Sequence, residues 1–181
     1  MQGHVLRHSP RGSEAYRRLA VTAATLHGAD QERGLRPGTE NVALIVALGA
    51  ASTLASADLP MLPDRLRTLG HRLHEGIAAG VPGLQLNGVP EHRLPNTLHV
   101  SFPGVGGRDL LADVTDSVAA SLGSACHSEQ DTVSGVLAAM GVGAARARGA
   151  VRLSVGRSTG TDDIDRAATA LVASWASLSG H

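Results

Sequence analysis

Ala150-Val151-Arg152-Leu153-Ser154-Val155 alternates apolar and polar side chains, and this alternation decides how the C-terminal half of the chain is built. Successive side chains of a strand point to opposite faces, so the valines and the leucine line one face while Arg152 points away from them. The pattern predicts a half-buried strand. A guanidinium on the open face could bind a carboxylate through two parallel hydrogen bonds. The alternatives are an exposed strand arginine, or a structural pair with Asp113 or Asp116.

Further elements are predicted outward from this strand. Leu98–Phe102 and Val118–Leu122 read as two more strands, each bounded by turn residues. The all-apolar run Val42–Ala51 predicts a buried helix, with a strand as the alternative that periodicity leaves open. The other predicted helices run from Pro60 to Gly80, over Asp109–Val114, over Val133–Met140, and from Thr161, as N-cap, to Leu178. Strands interleaved with helices predict an α/β layer sandwich, a small sheet with helices packed on it. Residues 1–25 are expected to be an irregular, disordered leader, and 26–181 one domain.

Composition restricts the class of protein. The formal charge is zero and the pI about 7.1, so no polyanion-binding face and no nucleic-acid partner are expected. The longest apolar run, Val42–Ala51, is too short to span a membrane, and residues 1–25 lack the apolar centre of a signal peptide. A single cysteine argues against a disulfide scaffold. Together these features predict a cytoplasmic protein without a membrane partner.

All 16 basic residues are arginine, and the chain contains no lysine. Any mechanism that needs an ε-amino group as a nucleophile or a Schiff-base partner cannot be completed by this chain alone.

The one cysteine lies in Gly123-Ser-Ala-Cys-His-Ser128, among small residues that offer no apolar cover. Cys126 is therefore either a small hydrophobe in a loop or a reactive thiol, because a nearby cation favours the nucleophilic thiolate. His127 could support it by stabilising the thiolate or by donating a proton. The other histidines show no metal-ligand spacing, so no metal site is expected.

Gly38-Thr39 comes just before the predicted helix at Val42. Backbone N–H groups, the Thr39 hydroxyl and the helix dipole there suit a phosphate. Helix capping by Thr39 or Asn41 is the simpler interpretation. Arg33 and Arg36 add positive charge to the same loop, although arginines of this kind are more often solvated.

Four segments in order resemble the cysteine desulfurase and selenocysteine lyase family, class V aminotransferase-like enzymes that depend on pyridoxal phosphate. The segments are Leu26-His-Gly-Ala-Asp-Gln-Glu-Arg-Gly-Leu-Arg-Pro-Gly-Thr-Glu-Asn41, Arg93-Leu-Pro-Asn-Thr97, Gly123-Ser-Ala-Cys-His-Ser128 and Val151-Arg-Leu-Ser-Val-Gly-Arg-Ser-Thr159. The last two look closer to the selenocysteine lyase side. The resemblance implies the C-terminal, small-domain part of a fold-type I pyridoxal-phosphate-dependent transferase.

The resemblance also implies roles for single residues. The residue matching Cys126 attacks the sulfur or selenium of cysteine or selenocysteine, leaving alanine and an enzyme-bound persulfide or its selenium counterpart. The residue matching Thr39 contacts the cofactor phosphate in a neighbouring subunit, and the one matching Arg152 holds the substrate carboxylate. A sulfur acceptor protein and a homo-oligomer are the partners that follow.

Two departures from the family pattern stand out. The family's Gly-Gly-Gly-Gln-Glu run is Gly28-Ala-Asp-Gln-Glu32 here, so an altered loop is expected because glycine tolerates unusual backbone angles better. The larger cofactor domain, with its Schiff-base lysine, is missing from this sequence, which therefore resembles a fragment.

Three hypotheses follow for the function. In the first, the chain is the small domain of a desulfurase or lyase, inactive alone and complemented by a separate pyridoxal-phosphate domain chain. In the second, it is a cofactor-free persulfide carrier that receives sulfur on Cys126. In the third, it is a non-catalytic partner module of a full-length desulfurase. The first is favoured, because three functional positions are retained in a consistent arrangement.

Overall fold

A computed structural model describes residues 26–123 and 134–180. The chain divides into two compact units, Met1–Leu54 and Ala55–His181. The predicted leader, residues 1–25, lies outside the described residues, as do Cys126 and His127.

The described part of the first unit is a loop followed by helix α1 (Val42–Asp58), which continues into the second unit. A 3-10 turn covers Gln31–Gly34 within the loop. The predicted helix over Val42–Ala51 is confirmed, but the prediction that it is buried is wrong. The large apolar side chains of α1 are more than half exposed, Leu48 at 69% among them. A run that is apolar on every face thus forms a helix whose large side chains are not buried by the described residues.

The second unit packs two long helices on one face of an antiparallel sheet. Helices α2 (Leu62–Gly80) and α6 (Thr161–Ser179) bury their apolar stripes against the inner face of strands β1 (Gln85–Leu86), β2 (Thr97–Ser101) and β3 (Ala150–Ser154). The sheet order is β1-β2-β3, and His99 of β2 pairs with Arg152 of β3. The predicted α/β class, with a small sheet covered by helices, is confirmed.

The core follows the period of each element. Apolar residues recur every three or four positions in α2 and α6 and every two in the strands, so each element presents one apolar face. The buried apolar side chains of these four elements are Leu66, Leu69, Leu73, Ile77, Leu98, Val100, Ala150, Val151, Leu153, Ile164, Ala168, Leu171 and Trp175. The Trp175 indole also donates a hydrogen bond to the Pro103 carbonyl at 2.9 Å, which satisfies the polar atom of the largest core side chain.

Three short helices complete the described residues. They are α3 (Gly107–Asp113), α4 (Gly135–Ala139) and α5 (Ala144–Arg148). The first two were predicted within a few residues, whereas α5 and the two-residue β1 were not. Within the segment Val133–Met140 that was predicted as a helix, Leu137 is buried, but Val136 and Met140 are exposed.

Three further predictions are wrong. Val118–Leu122 is not a strand, since only Ser121 makes a bridge, to Arg152. Thr161 is the first residue of α6 rather than its N-cap, because Gly160 occupies the cap and its N–H donates to Asp163 Oδ2 at 2.8 Å. Leu178, expected in the buried stripe of α6, is 44% exposed.

No single helix in residues 26–123 and 134–180 is both long and apolar enough to cross a membrane. The bent pair of α1 and α2 meets that criterion only jointly, and by length and composition alone.

Candidate functional site

The open face of the sheet carries the polar side chains of β2 and β3. It opposes the apolar face that α2 and α6 cover, and we call it the outer face; its side chains are those of Thr97, His99, Ser101, Arg152 and Ser154. Alternation places these side chains on one face of each strand, and the register of β2 and β3 then pairs His99 with Arg152. Gly123, three residues before Cys126, lies at this face, because its carbonyl accepts a hydrogen bond from Arg152 and a Cβ built on it would lie 3.4 Å from His99 Nε2.

Arg152 is exposed on the outer face, as the alternation predicts. Its backbone is held by Ser121, which it bridges through two hydrogen bonds of 2.7 and 3.3 Å. Its guanidinium donates a long hydrogen bond, 3.4 Å, to the Gly123 carbonyl. Neither Asp113 nor Asp116 pairs with it, and no ion pair involving Arg152 occurs among the described residues. The guanidinium can therefore receive an anion beside Gly123, three residues before Cys126 in the sequence.

His99 stands beside Arg152 on the neighbouring strand. A Cβ placed on Gly123 would lie 3.4 Å from His99 Nε2 and 3.8 Å from Arg152 Cβ, so both side chains border the same glycine. Gly123 has a positive φ of 90°, which also favours glycine there. Burial, and next the positive charge of Arg152, lower the pKa of His99 below its usual value. The imidazole is accordingly neutral at pH 7.

A hydrogen-bond chain supports His99 from the side away from Gly123. The Asn87 amide nitrogen lies 3.1 Å from His99 Nδ1 and donates to Ser101 Oγ at 2.8 Å. Arg146 of α5 donates to Asn87 Oδ1 at 3.0 Å and to the Leu86 carbonyl at 2.7 Å. Since Asn87 and Ser101 are buried, the chain fixes the polar groups beneath the outer face.

Thr39 lies in the first unit, two residues before the cap of α1. Asn41 caps that helix, since its side-chain oxygen accepts the Leu44 N–H at 3.1 Å, so capping by Thr39 is wrong. The Thr39 residue is exposed, and its hydroxyl makes no hydrogen bond within the described part of the chain. Gly38 before it has a φ of 100° and donates its N–H to Gln31 Oε1 at 3.2 Å. Thr39 remains open to a ligand.

Two further arginines, Arg36 beside Thr39 and Arg157 after β3, have structural partners. Arg36 pairs with Glu40 and donates to the Pro37 and Gly38 carbonyls, each at 3.3 Å, which stiffens the loop around Thr39. Arg157 pairs with Asp58 at 2.5 Å. Cys126 and His127 remain predictions outside the described residues. No group of three potential metal ligands occurs within residues 26–123 and 134–180.

In the altered Gly28-Ala-Asp-Gln-Glu32 loop, the positive φ angles do not fall on the residues that replace glycine. Ala29 and Asp30 have no positive φ, whereas Glu32 and Arg33 do, at 52° and 59°. The family's second and third glycines are therefore replaced where this backbone does not need them. Gly28 is retained, and a Cβ on it would lie 2.5 Å from Pro37 Cβ, so it allows the two ends of the loop to approach each other.

These positions can be compared with known proteins. A family model described as aminotransferase class-V matches residues 4–167 of the 181. The chain belongs to the aminotransferase class-V family. The match begins within the stretch predicted as a leader, whose structure lies outside the described residues.

Relatives in the class-V family are named cysteine desulfurases. IscS of Clostridium botulinum is 42% identical over 143 residues, 77% of this chain and 36% of that protein. The cysteine desulfurase of Gluconacetobacter diazotrophicus is 40% identical over 169 residues, 92% of this chain and 42% of that protein. NifS of Azotobacter vinelandii is 38% identical over 167 residues, 91% of this chain and 41% of that protein. The chain thus spans about two fifths of the length of these relatives.

Solved structures agree with the class-V assignment. A NifS-like protein superposes with a TM-score of 0.71 at 31% identity, covering 87% of this chain and 39% of that one. A NifS-like protein from Rickettsia africae gives 0.70 at 27% identity, covering 84% and 39%. The predicted family resemblance and the predicted fold class are confirmed.

Pyridoxal phosphate is the cofactor that this family of desulfurases implies. The described residues suit only its phosphate, which the exposed Thr39 hydroxyl and the adjacent backbone could bind. The chain has no lysine to hold the aldehyde. By itself the chain therefore does not fit the complete cofactor.

Sequence reasoning missed His99, Asn87 and Arg146 as parts of the site. The alternation of Leu98, His99 and Val100 places His99 on an open strand face, and this signal could have found it. The pairing of His99 with Arg152 depends on strand register. The approach of Arg146 to Asn87 joins residues 59 positions apart, which local patterns do not reveal.

Proposed function

We propose that this chain is the substrate-carboxylate and sulfur-accepting part of a cysteine desulfurase, working with a lysine-bearing cofactor domain that the present sequence does not include. The observation that carries the proposal is Arg152, exposed and unpaired by any described carboxylate, with its guanidinium at the carbonyl of Gly123. Cys126 follows Gly123 by three residues. An amino-acid carboxylate bound by Arg152 would therefore hold its substrate near the start of the cysteine loop.

Each proposed residue has a defined chemical task. Arg152 binds the substrate carboxylate as a planar fork with two donors. The Cys126 thiolate attacks the substrate sulfur, so that an S–S bond forms and the substrate's C–S bond breaks. The electron pair of that bond stays on carbon, which takes up a proton and becomes the methyl group of alanine. The persulfide stays on Cys126, with His127 as a supporting proton donor, until a sulfur acceptor protein takes it.

The separate cofactor domain supplies what this chain lacks. The electron pair left on carbon needs stabilisation, and no lysine is present to hold a cofactor that provides it. Thr39 would complete the phosphate site of that domain. The exposed apolar side chains of α1 favour such an association, because large apolar surfaces commonly mark protein contacts.

The test is reconstitution. The chain is mixed with a separately expressed lysine-bearing domain of the same family, pyridoxal phosphate and L-cysteine, and alanine release is measured. Alanine should form only when both chains are present. The Arg152→Gln variant should raise the KM for cysteine about a hundredfold, because an uncompensated carboxylate loses two charge-assisted hydrogen bonds. Alanine release that does not depend on this chain would contradict the proposal, and an unchanged KM would contradict the role of Arg152.

A further inference from the structure

The hydrogen-bond chain beneath the outer face determines which nitrogen of His99 carries the proton. A guanidinium can only donate hydrogen bonds, so the Asn87 atom facing Arg146 Nε at 3.0 Å must be the amide oxygen. This fixes the orientation of the amide, and the Asn87 nitrogen therefore faces His99 Nδ1 at 3.1 Å. Because that nitrogen donates, Nδ1 accepts, and the proton of the neutral ring is on Nε2.

The Nε2 edge of His99 points toward Gly123. Its distance to a Cβ built on that glycine would be 3.4 Å, and Arg152 Cβ borders the same position at 3.8 Å. Within the described residues, Nε2 makes no hydrogen bond. The Nε2–H donor is held in one orientation by Asn87 and has no acceptor among the described residues, so these residues leave it available to a ligand.

We propose that His99 is a second substrate-binding residue, whose Nε2–H donates to the carboxylate that Arg152 holds, with Asn87 and Arg146 as the positioning residues that fix its tautomer. The inference rests on the proposed function of Arg152. It extends that function by assigning carboxylate recognition to two neighbouring strands, with one side chain from each.

The tautomer is measurable without catalysis. The full chain is labelled with ¹⁵N at histidine and arginine, and the ring nitrogen shifts of His99 and the Nε–H resonance of Arg152 are followed while L-alanine is added. L-Alaninamide, which lacks the carboxylate, is the matched control ligand. We expect the free chain to show neutral His99 with its proton on Nε2. Both resonances should move with one dissociation constant for L-alanine and stay still for the amide.

The outcomes separate this inference from the proposed function. If Arg152 moves with L-alanine while His99 Nε2 does not, the role of His99 is overturned and that of Arg152 stands. If neither moves, both are overturned. A proton found on Nδ1 of the free chain overturns the assignment of the tautomer, and with it the proposed donor.

Variants provide a second, independent readout. Glutamine places an amide nitrogen near the position of Nε2, whereas asparagine reaches only the position of Nδ1. His99→Gln should therefore keep most of the affinity for L-alanine, and His99→Asn should weaken it about tenfold, the loss expected for one hydrogen bond to a charged group. Asn87→Asp replaces the donor to Nδ1 by an acceptor of the same shape, so it should transfer the proton to Nδ1 and weaken binding to the same extent. Equal affinities in His99→Asn, Asn87→Asp and the unmodified chain would overturn the proposal.

Discussion

At the scale of single residues, the outer face of the sheet brings two positively charged arginines close to one histidine. Arg146 and Arg152 are both cations, and the pKa of His99 is lowered by burial first and by the charge of Arg152 second. A neutral imidazole between them avoids a third positive charge. The amide of Asn87 makes this arrangement specific, because its oxygen faces Arg146 and its nitrogen faces the ring.

The lowered pKa of His99 predicts a pH dependence of stability. An unfolded histidine takes up a proton near its usual pKa of 6.5, while folded His99 does not until the pH is lower. The unfolded state thus binds more protons below pH 6.5, and the free energy of unfolding should fall as the pH drops through this range. Urea unfolding between pH 5 and pH 8 should show this fall, and His99→Gln should reduce it.

His74 contributes to the same pH range. Burial first and the charge of Arg93 second lower its pKa, so His74→Gln should also reduce the fall, and the double variant should be flatter than either single one. An identical pH dependence in the unmodified chain and the double variant would show that neither histidine is held neutral by the fold.

At the scale of elements, the position of strand β3 depends on a close backbone contact between Phe102, just after β2, and Gly149, just before β3. The Phe102 N–H donates to the Gly149 carbonyl at 2.9 Å, and a Cβ on Gly149 would lie 2.0 Å from the Phe102 carbonyl oxygen. Backbone atoms cannot move aside as a flexible side chain does. Any residue larger than glycine must therefore separate the end of β2 from the start of β3.

Gly149→Ala should lower the free energy of unfolding by more than about 2 kcal/mol. Gly135→Ala is the matched control, because nothing lies within 4 Å of a Cβ at that position in α4. Alanine is the better helix former, so the control should be neutral or stabilising by up to about 1 kcal/mol. Chemical denaturation measures both values. Equal stabilities for the two variants would contradict the packing described for Gly149.

Several elements were predictable because they have a strong period. Helices α2 and α6 repeat apolar residues every three or four positions, and β2 and β3 alternate over five residues, which is enough for local pattern to identify them. Val118–Leu122 is apolar in the same way but finds only one bridging partner, Arg152. Strands form by pairing, so an apolar run alone does not guarantee one.

The residues of the candidate site also fall into two groups, those that local sequence patterns predict and those that only the fold brings to the site. The exposure of Arg152 follows from alternation along its own strand, and Thr39 was found by its position before a helix. Asn87 and Arg146 belong to the site through contacts between distant parts of the chain, and the tautomer of His99 follows from those contacts. Local sequence patterns contain no information about them.

At the scale of the whole molecule, α1 carries an apolar surface that is exposed to solvent. Leu44 and Leu48 are 66% and 69% exposed, although a run of such composition is typical of a buried helix. The chain spans about two fifths of the length of its desulfurase relatives. Apolar surface of this kind promotes association.

Replacing Leu44 and Leu48 together by glutamate should therefore reduce association of the isolated chain. Analytical ultracentrifugation over a range of concentrations should show self-association of the unmodified chain and a monomeric double variant. Ser52→Glu adds a charge to the same helix without removing apolar surface and should behave like the unmodified chain. Association that is equal in all three proteins would show that α1 is not the surface responsible.

The central claim, that this chain accepts sulfur from cysteine when a lysine-bearing cofactor domain is supplied, is tested most directly by mapping the persulfide. Both chains, pyridoxal phosphate and L-cysteine are allowed a single turnover. Alanine is then quantified, and mass spectrometry locates the added sulfur. We predict alanine and a Cys126 persulfide in equal amounts, and neither product with Cys126→Ser. Alanine formed without any sulfur on Cys126, or formed equally well by the Cys126→Ser variant, would contradict the account.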